Sequence, residues 1–147
     1  MSMYLRFGLM IATSTLAMFA MTYLNVFEAD HIFFSETRAY MALVMGAGMA
    51  LVMMAYMWHM YPNKGANLAI IVAALLVFAG ALALARSQRT VDQVSYMKAM
   101  IPHHSIAILT SERAQLEDPR VRELASSISR TQKEEIAQMK ALIEALE

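Results

Sequence analysis

The chain has 147 residues, 59% hydrophobic and 16% charged, with twelve acidic and twelve basic side chains and a formal net charge of zero. That composition excludes intrinsic disorder and leaves no basic field for nucleic acid. It includes 15 methionines and no cysteine, which excludes disulfides, thiolate metal sites and CxxC redox chemistry and leaves Met and His as the ligands for any soft metal.

The charge is unevenly spread: residues 1–85 hold six charged side chains and residues 86–147 hold eighteen. The pattern predicts an all-α chain with a three-span transmembrane region over residues 1–86 and a helical hairpin over residues 87–147. Three apolar runs are long enough to cross a bilayer and free of Asp, Glu, Lys and Arg: Phe7–Phe27, Ala39–Met60 and Leu68–Ala85. Tyr4, Tyr23, Tyr40, Tyr56, Trp58 and Tyr61 sit toward the ends of the first two runs, as interfacial aromatics do. Pro62-Asn63-Lys64-Gly65 reads as a turn. The first run is too long for a signal-peptide core and lacks a small-residue cleavage site, so it is read as an uncleaved span. Three crossings put the loop Asn25–Arg38 on the same side of the bilayer as the hairpin.

Span two carries Met41, Met45, Met49, Met53 and Met57 at strict i+4 spacing, with Met54 and Met60 beside them, whereas span three has none. One reading is a thioether ladder for a soft cation, which requires an oligomer because three spans enclose no pore. The other is a flexible packing ridge, with Gly46 and Gly48 admitting a neighbouring helix. In the loop, Glu28-Ala29-Asp30-His31 gives an E-x-x-H spacing. The hairpin supplies no second copy of it, so the expectation is a solvated acidic loop, with His31 as a secondary metal candidate or a dock for the hairpin.

No glycine occurs after Thr90. Asp118-Pro119 is a helix start, with Asp as N-cap and Pro at the first helical position. It separates a first helix, about Val91–Leu116, from a second, about Pro119–Leu146. The second repeats apolar residues at Val121, Leu124, Ile128, Ile136, Met139, Ile143 and Leu146, an amphipathic stripe. Pro102 is expected to kink the first helix. So short a hairpin cannot bury a sufficient core alone. It needs the loop, helical extensions or a second copy; a four-helix bundle formed by a homo-oligomer is the simplest solution.

The first helix concentrates soft ligands. At about 100° per residue, Met97, Met100 and His104 fall within about 60° of each other and His103 about 60° further round. With the turn centred near Glu117 and Asp118, Met100 is expected opposite Glu135, and Met139 at the level of Met97 and Met100. Thioethers with imidazole and no thiolate suit copper(I) or silver(I), where zinc, magnesium and calcium prefer other donors. The same residues would equally serve as a core stripe, since Met is a flexible filler.

The stretches MKAMIPHHSIAI, DPRVRELASSI and QKEEIAQMKALI resemble the bacterial domain-of-unknown-function family 305, over about residues 90–147. The resemblance implies a ferritin-like four-helix bundle and the binding of copper and silver. It carries Met97, Met100, His103, His104 and Met139 as ligands; Glu135, one turn before Met139 on the same face, is a secondary candidate from the hairpin register. It also implies a hairpin outside the cytoplasm, although the count of basic residues leans by one the other way. The three spans depart from the secreted members. The expected activity is therefore non-enzymatic: a protein anchored in the lipid bilayer of the bacterial inner membrane, with a periplasmic hairpin, binding copper(I) or silver(I) for tolerance or for delivery to a metal-handling partner. The alternatives are an oligomeric copper transporter using the span-two methionines and a structural membrane subunit. No P-loop, H-E-x-x-H, G-x-S-x-G or dinucleotide fingerprint is present.

Overall fold

Short polar residues start the helices. Ser2 accepts a hydrogen bond from the Leu5 N–H at 3.2 Å and opens α1, Met3–Met21. Asn63 does the same for the Ala66 N–H at 3.0 Å and opens α3, Lys64–Ser87. Asp92 caps α4, Gln93–Arg113, through the Ser95 N–H, and Asp118 caps α5, Pro119–Leu146, through the Arg120 N–H. Each such cap stabilises its helix by about 1 kcal/mol. Between α1 and α3 runs α2, Glu36–Met57, extended by a 3₁₀ turn at Trp58–Met60. The computed structural model describes residues 2–147, and no strand occurs among them.

The chain forms two compact units. One contains the chain up to Thr22 together with Thr37–Thr90; the other contains Tyr23–Glu36 and Val91–Glu147.

The first unit holds α1, α2 and α3. All three are long and apolar enough to cross a membrane: Met3–Met21, Glu36–Met60 and Lys64–Ser87. Most of their surface is exposed and apolar, with Leu16, Val52 and Leu76 turned outward, as lipid-facing positions require. The buried face of α2 is not the methionine ridge but Ala42, Gly46, Ala47, Ala50 and Met54. Gly46 is required where it stands, because a Cβ there would collide with the Thr15 side chain of α1. Gly48 has no such neighbour. One end of the unit is closed by a polar knot. Asn67, fully buried, accepts from the Tyr4 hydroxyl at 2.9 Å and donates to the Tyr61 carbonyl at 3.2 Å. Tyr61 is therefore buried against Tyr4 and Phe7, not lying free at an interface as its position in the sequence indicates.

The second unit is the α4–α5 hairpin with the segment Tyr23–Glu36 laid against it. Here the expectation of a first span reaching Phe27 is corrected. The helix stops at Met21, and Phe27 and Phe33 instead pack on the hairpin cluster of Met97, Ile101, Ile108, Ile136 and Ile143. Apolar composition alone does not distinguish a lipid-facing phenylalanine from a core one. Pro102 lies inside α4 without ending it.

The hairpin register also differs from a symmetric turn. After Arg113 the chain is extended at Ala114 and again at Asp118, and carries on past the end of α4 before α5 begins. Glu112, in the last turn of α4, accordingly meets Ser129 at 2.9 Å. The first turns of α5 overrun α4, leaving Val121, Leu124 and Ile128 exposed.

Candidate metal centre

The spacing Met97, Met100, His104 places these three residues along one side of α4, beside the fully buried Ile101. His104 is 9% exposed and both its ring nitrogens are engaged. Nδ1 lies 3.0 Å from the Met100 carbonyl and Nε2 lies 2.8 Å from Glu135 Oε2 on α5. A carbonyl only accepts, so Nδ1 carries a proton and the ring presents Nε2 across the hairpin. Metal-binding histidines are fixed in this way, with one nitrogen tied to a backbone carbonyl and the other free to coordinate. Nε2 meets the Glu135 carboxylate, and a metal at Nε2 would displace that contact. Gln132 donates to the same carboxylate oxygen at 3.3 Å, which steadies it.

The other sequence candidates divide. Met97 is buried in the hairpin cluster and Met139 packs on that cluster from α5, so their side chains meet the same apolar interior. Met100 is half-buried one turn before His104. His103 is exposed, its ring centroid 6.1 Å from that of His104. The partner of Glu135 is His104, not Met100 as the symmetric pairing has it, because of the overrun of α5. In the membrane unit Met41 and Met45 are exposed and Met49, Met53 and Met57 half-buried, so the ridge flanks the packed face of α2.

His31 is the largest departure. The loop was expected to be solvated, yet His31 is 6% exposed. Its Nδ1 lies 2.9 Å from Ser105 Oγ, which also accepts from the Phe27 N–H at 2.6 Å. Ser105 is fully buried and is the functional-site neighbour that sequence reasoning overlooked. Asp30 meets Lys140 of α5 at 2.6 Å, and that hydrogen bond holds its carboxyl below the ordinary range. Burial, then the Lys140 charge, pushes the His31 pKa down, against the opposing pull of Asp30 and Glu28. In the last turn of α4, hydrogen bonds from Lys133 and Ser129 hold Glu112 down.

Comparison with known proteins accords with the motif pattern. The family described as "Domain of unknown function (DUF305)" matches residues 82–147. "Uncharacterized protein L153" of Acanthamoeba polyphaga mimivirus is 33% identical over 110 residues, covering 71% of this chain and 68% of that protein. The chain belongs to the DUF305 family. The likeness to the mimivirus protein covers more of the chain than the DUF305 match itself, so it reaches into the membrane unit. No solved structure matches.

Proposed function

We propose that this DUF305 protein is a membrane-anchored binder of copper(I) or silver(I), serving metal tolerance or delivery, with Met97, Met100, His103, His104 and Met139 as its ligand set. The observation that carries this reading is His104. Its Nδ1 is tied to a carbonyl and its Nε2 faces Glu135 across the hairpin, with Met100 one turn away on the same helix. Thioether and imidazole donors without thiolate favour a soft monovalent ion over zinc or magnesium. His103, exposed beside His104, is positioned to receive the ion from solvent or a partner.

The exposed stripe Val121, Leu124, Ile128, Leu142 and Leu146 on α5 supports a homo-oligomer that completes a four-helix, ferritin-like bundle. The three apolar helices support residence in a bilayer, proposed as the bacterial inner membrane with the hairpin in the periplasm. A second reading, an oligomeric copper transporter, is favoured by Met41 and Met45, which lie outside the packed face of α2, where lipid or another copy would meet them.

The deciding experiment is an anaerobic titration of the detergent-purified full chain with copper(I) and silver(I), beside the double variant Met100→Leu/His104→Phe. Loss of outer-sphere partners alone typically weakens a site 10- to 100-fold, so removing two ligands is expected to cost at least on the order of 100-fold. Unchanged affinity with lost assembly would instead make the motif structural. Copper uptake into proteoliposomes that disappears when the span-two methionines are changed to Leu would favour the transporter.

A further inference from the structure

The membrane unit contains a groove that none of the described residues fills. Its walls are Gly8 and Ala12 on α1 and Ala73 and Val77 on α3, its floor is Gly46 and Ala50 on α2, and its volume is about 730 Å³. Two hydroxyls line it, and both are already engaged. Tyr4 donates to Asn67 Oδ1 at 2.9 Å and Thr15 donates to the Ile11 carbonyl at 2.8 Å. The groove therefore offers a ligand no free polar group, and a ligand lying in it must be apolar along its length.

Its length is informative. Along α1 the groove runs from Tyr4 to Leu16, and at about 1.5 Å per residue that is roughly 18 Å. One leaflet is about half of a hydrocarbon core of about 30 Å. The groove thus has the depth of one leaflet, which suits a single acyl chain entering from one surface. A helix of another copy would need a face roughly twice as long to pack across the whole bilayer.

The mouth of the groove carries charge of one sign. The Tyr4 hydroxyl meets both the N–H and the carbonyl of Asn63 at 3.1 Å, so the starts of α1 and α3 lie together there. Arg6 follows Tyr4 on α1 and Lys64 follows Asn63 at the start of α3, and both are exposed. Neither forms an ion pair among the described residues. Lys64 Nζ lies 4.9 Å over the Trp58 ring, a contact that leaves its charge uncompensated. Residues 1–22 and 37–90, which make up this unit, contain Arg6, Arg38, Lys64, Arg86 and Arg89 and no Asp or Glu.

We propose that this groove is a site for an anionic phospholipid, with one acyl chain lying between α1 and α3 and the phosphate held at the mouth by Arg6 and Lys64. The acyl chain gives the walls the packing partner they lack, and the headgroup gives the two cations a counter-charge. The groove selects a chain and the cations select a negative head, so a zwitterionic lipid meets only half of the site. The inference rests on the bilayer residence proposed above and is independent of the metal centre.

The test is native mass spectrometry of the full chain in detergent, mixed with equal amounts of phosphatidylglycerol and phosphatidylcholine of the same acyl composition. Each cation near a bilayer surface is worth about fivefold in affinity for negative lipid, so phosphatidylglycerol should be preferred by roughly 30-fold. Arg6→Gln/Lys64→Gln should bring the two lipids to within about threefold of each other, less than the effect of one cation. Both side chains are exposed and without ion pairs, so the variant is expected to keep its helix content. Gly8→Leu/Ala12→Leu fills the groove from exposed positions, and a Cβ at Gly8 meets nothing within 4 Å; this variant should lose the bound lipid altogether. Equal binding of the two lipids by the wild type, or undiminished binding by Gly8→Leu/Ala12→Leu, would overturn the proposal. So would lipid-free dimers that disappear in Gly8→Leu/Ala12→Leu, which would give the groove to a second copy. A chain stripped from vesicles by alkaline carbonate would refute bilayer residence itself, whereas a chain that stays and shows no lipid preference refutes the lipid site alone.

Discussion

Ser105 is the point at which the loop is attached to the hairpin, and its replacement makes a quantitative test. The hydroxyl is fully buried, accepts from the Phe27 N–H at 2.6 Å and pairs with His31 Nδ1 at 2.9 Å. Ser105→Ala removes both bonds and leaves a backbone donor and a ring nitrogen buried without partners. A hydrogen bond contributes about 1 kcal/mol net, and each buried polar group left unsatisfied costs about 1–3 kcal/mol. The expected penalty for the two groups is therefore about 2–6 kcal/mol. If the segment opens locally before the hairpin unfolds, the opening equilibrium rises by roughly 30- to 20,000-fold. Hydrogen exchange on the full chain in detergent reads this directly. Peptides covering residues 23–36 should lose protection by that factor, while those from α1 to α3 should not change. Ser126→Ala, at an exposed position on α5, serves as the control. If Ser105→Ala leaves exchange over residues 23–36 within threefold of wild type, the loop is not held by this contact.

Three further outcomes follow from the packing. Gly46→Ala should destabilise the membrane unit by about 1–3 kcal/mol through overpacking against Thr15, and Thr15→Ala in the same chain should recover most of it, as read by thermal unfolding in detergent. Asn67→Ala leaves the Tyr61 carbonyl and the Tyr4 hydroxyl short of a partner, so a loss of about 1–3 kcal/mol is expected in the same assay. Glu112 titrates lower when folded than unfolded, so the unfolded chain binds more protons between the two values. Its contribution to stability is complete above the ordinary glutamate value of 4.5 and is lost as pH falls through the folded pKa. Glu112→Gln should flatten the acid limb of the melting-temperature profile below about pH 4.5; an unchanged limb would assign the acid sensitivity to other carboxylates.

How much of this was legible in the sequence depends on how local the cause is. Asp118-Pro119 announces α5 because a cap and a fixed φ act on adjacent residues, and α5 begins at Pro119. The three apolar helices follow from composition over some twenty residues, although their ends shift by several positions. The pairing of His104 with Glu135 was not legible, because it depends on the extended path from Ala114 to Asp118, which periodicity does not encode. Nor was the burial of His31: its anchor, Ser105, is 74 residues away, and an acidic turn has the composition of a solvated one. The only hint was the pair Phe27 and Phe33 on either side of that turn, which gives an otherwise polar loop an apolar footing on the hairpin. The methionine ridge was visible as a pattern, but the packed face of α2 is set mainly by small residues, with Met54 buried among them, and the i+4 methionines flank it.

The hairpin unit also constrains the crossing of the membrane. Phe27, Asp30 and His31 touch residues of α4 and α5. Between the two segments that meet lie α2 and α3 and no other apolar helix. Segments in contact must share one side of a bilayer, so α2 and α3 either both cross or both do not. A structure in which one crossed alone would tear His31 from Ser105. The absence of native cysteine makes this measurable. Single replacements Ser2→Cys, Ala29→Cys and Glu147→Cys, all at exposed positions, can be probed with a membrane-impermeant thiol reagent in sealed vesicles. Ala29→Cys and Glu147→Cys should label alike, and Ser2→Cys oppositely, because α1 adds one more crossing. Equal labelling of all three would mean that α1 does not cross. Opposite labelling of Ala29→Cys and Glu147→Cys would break the hairpin unit itself, and with it the anchoring of His31 on Ser105.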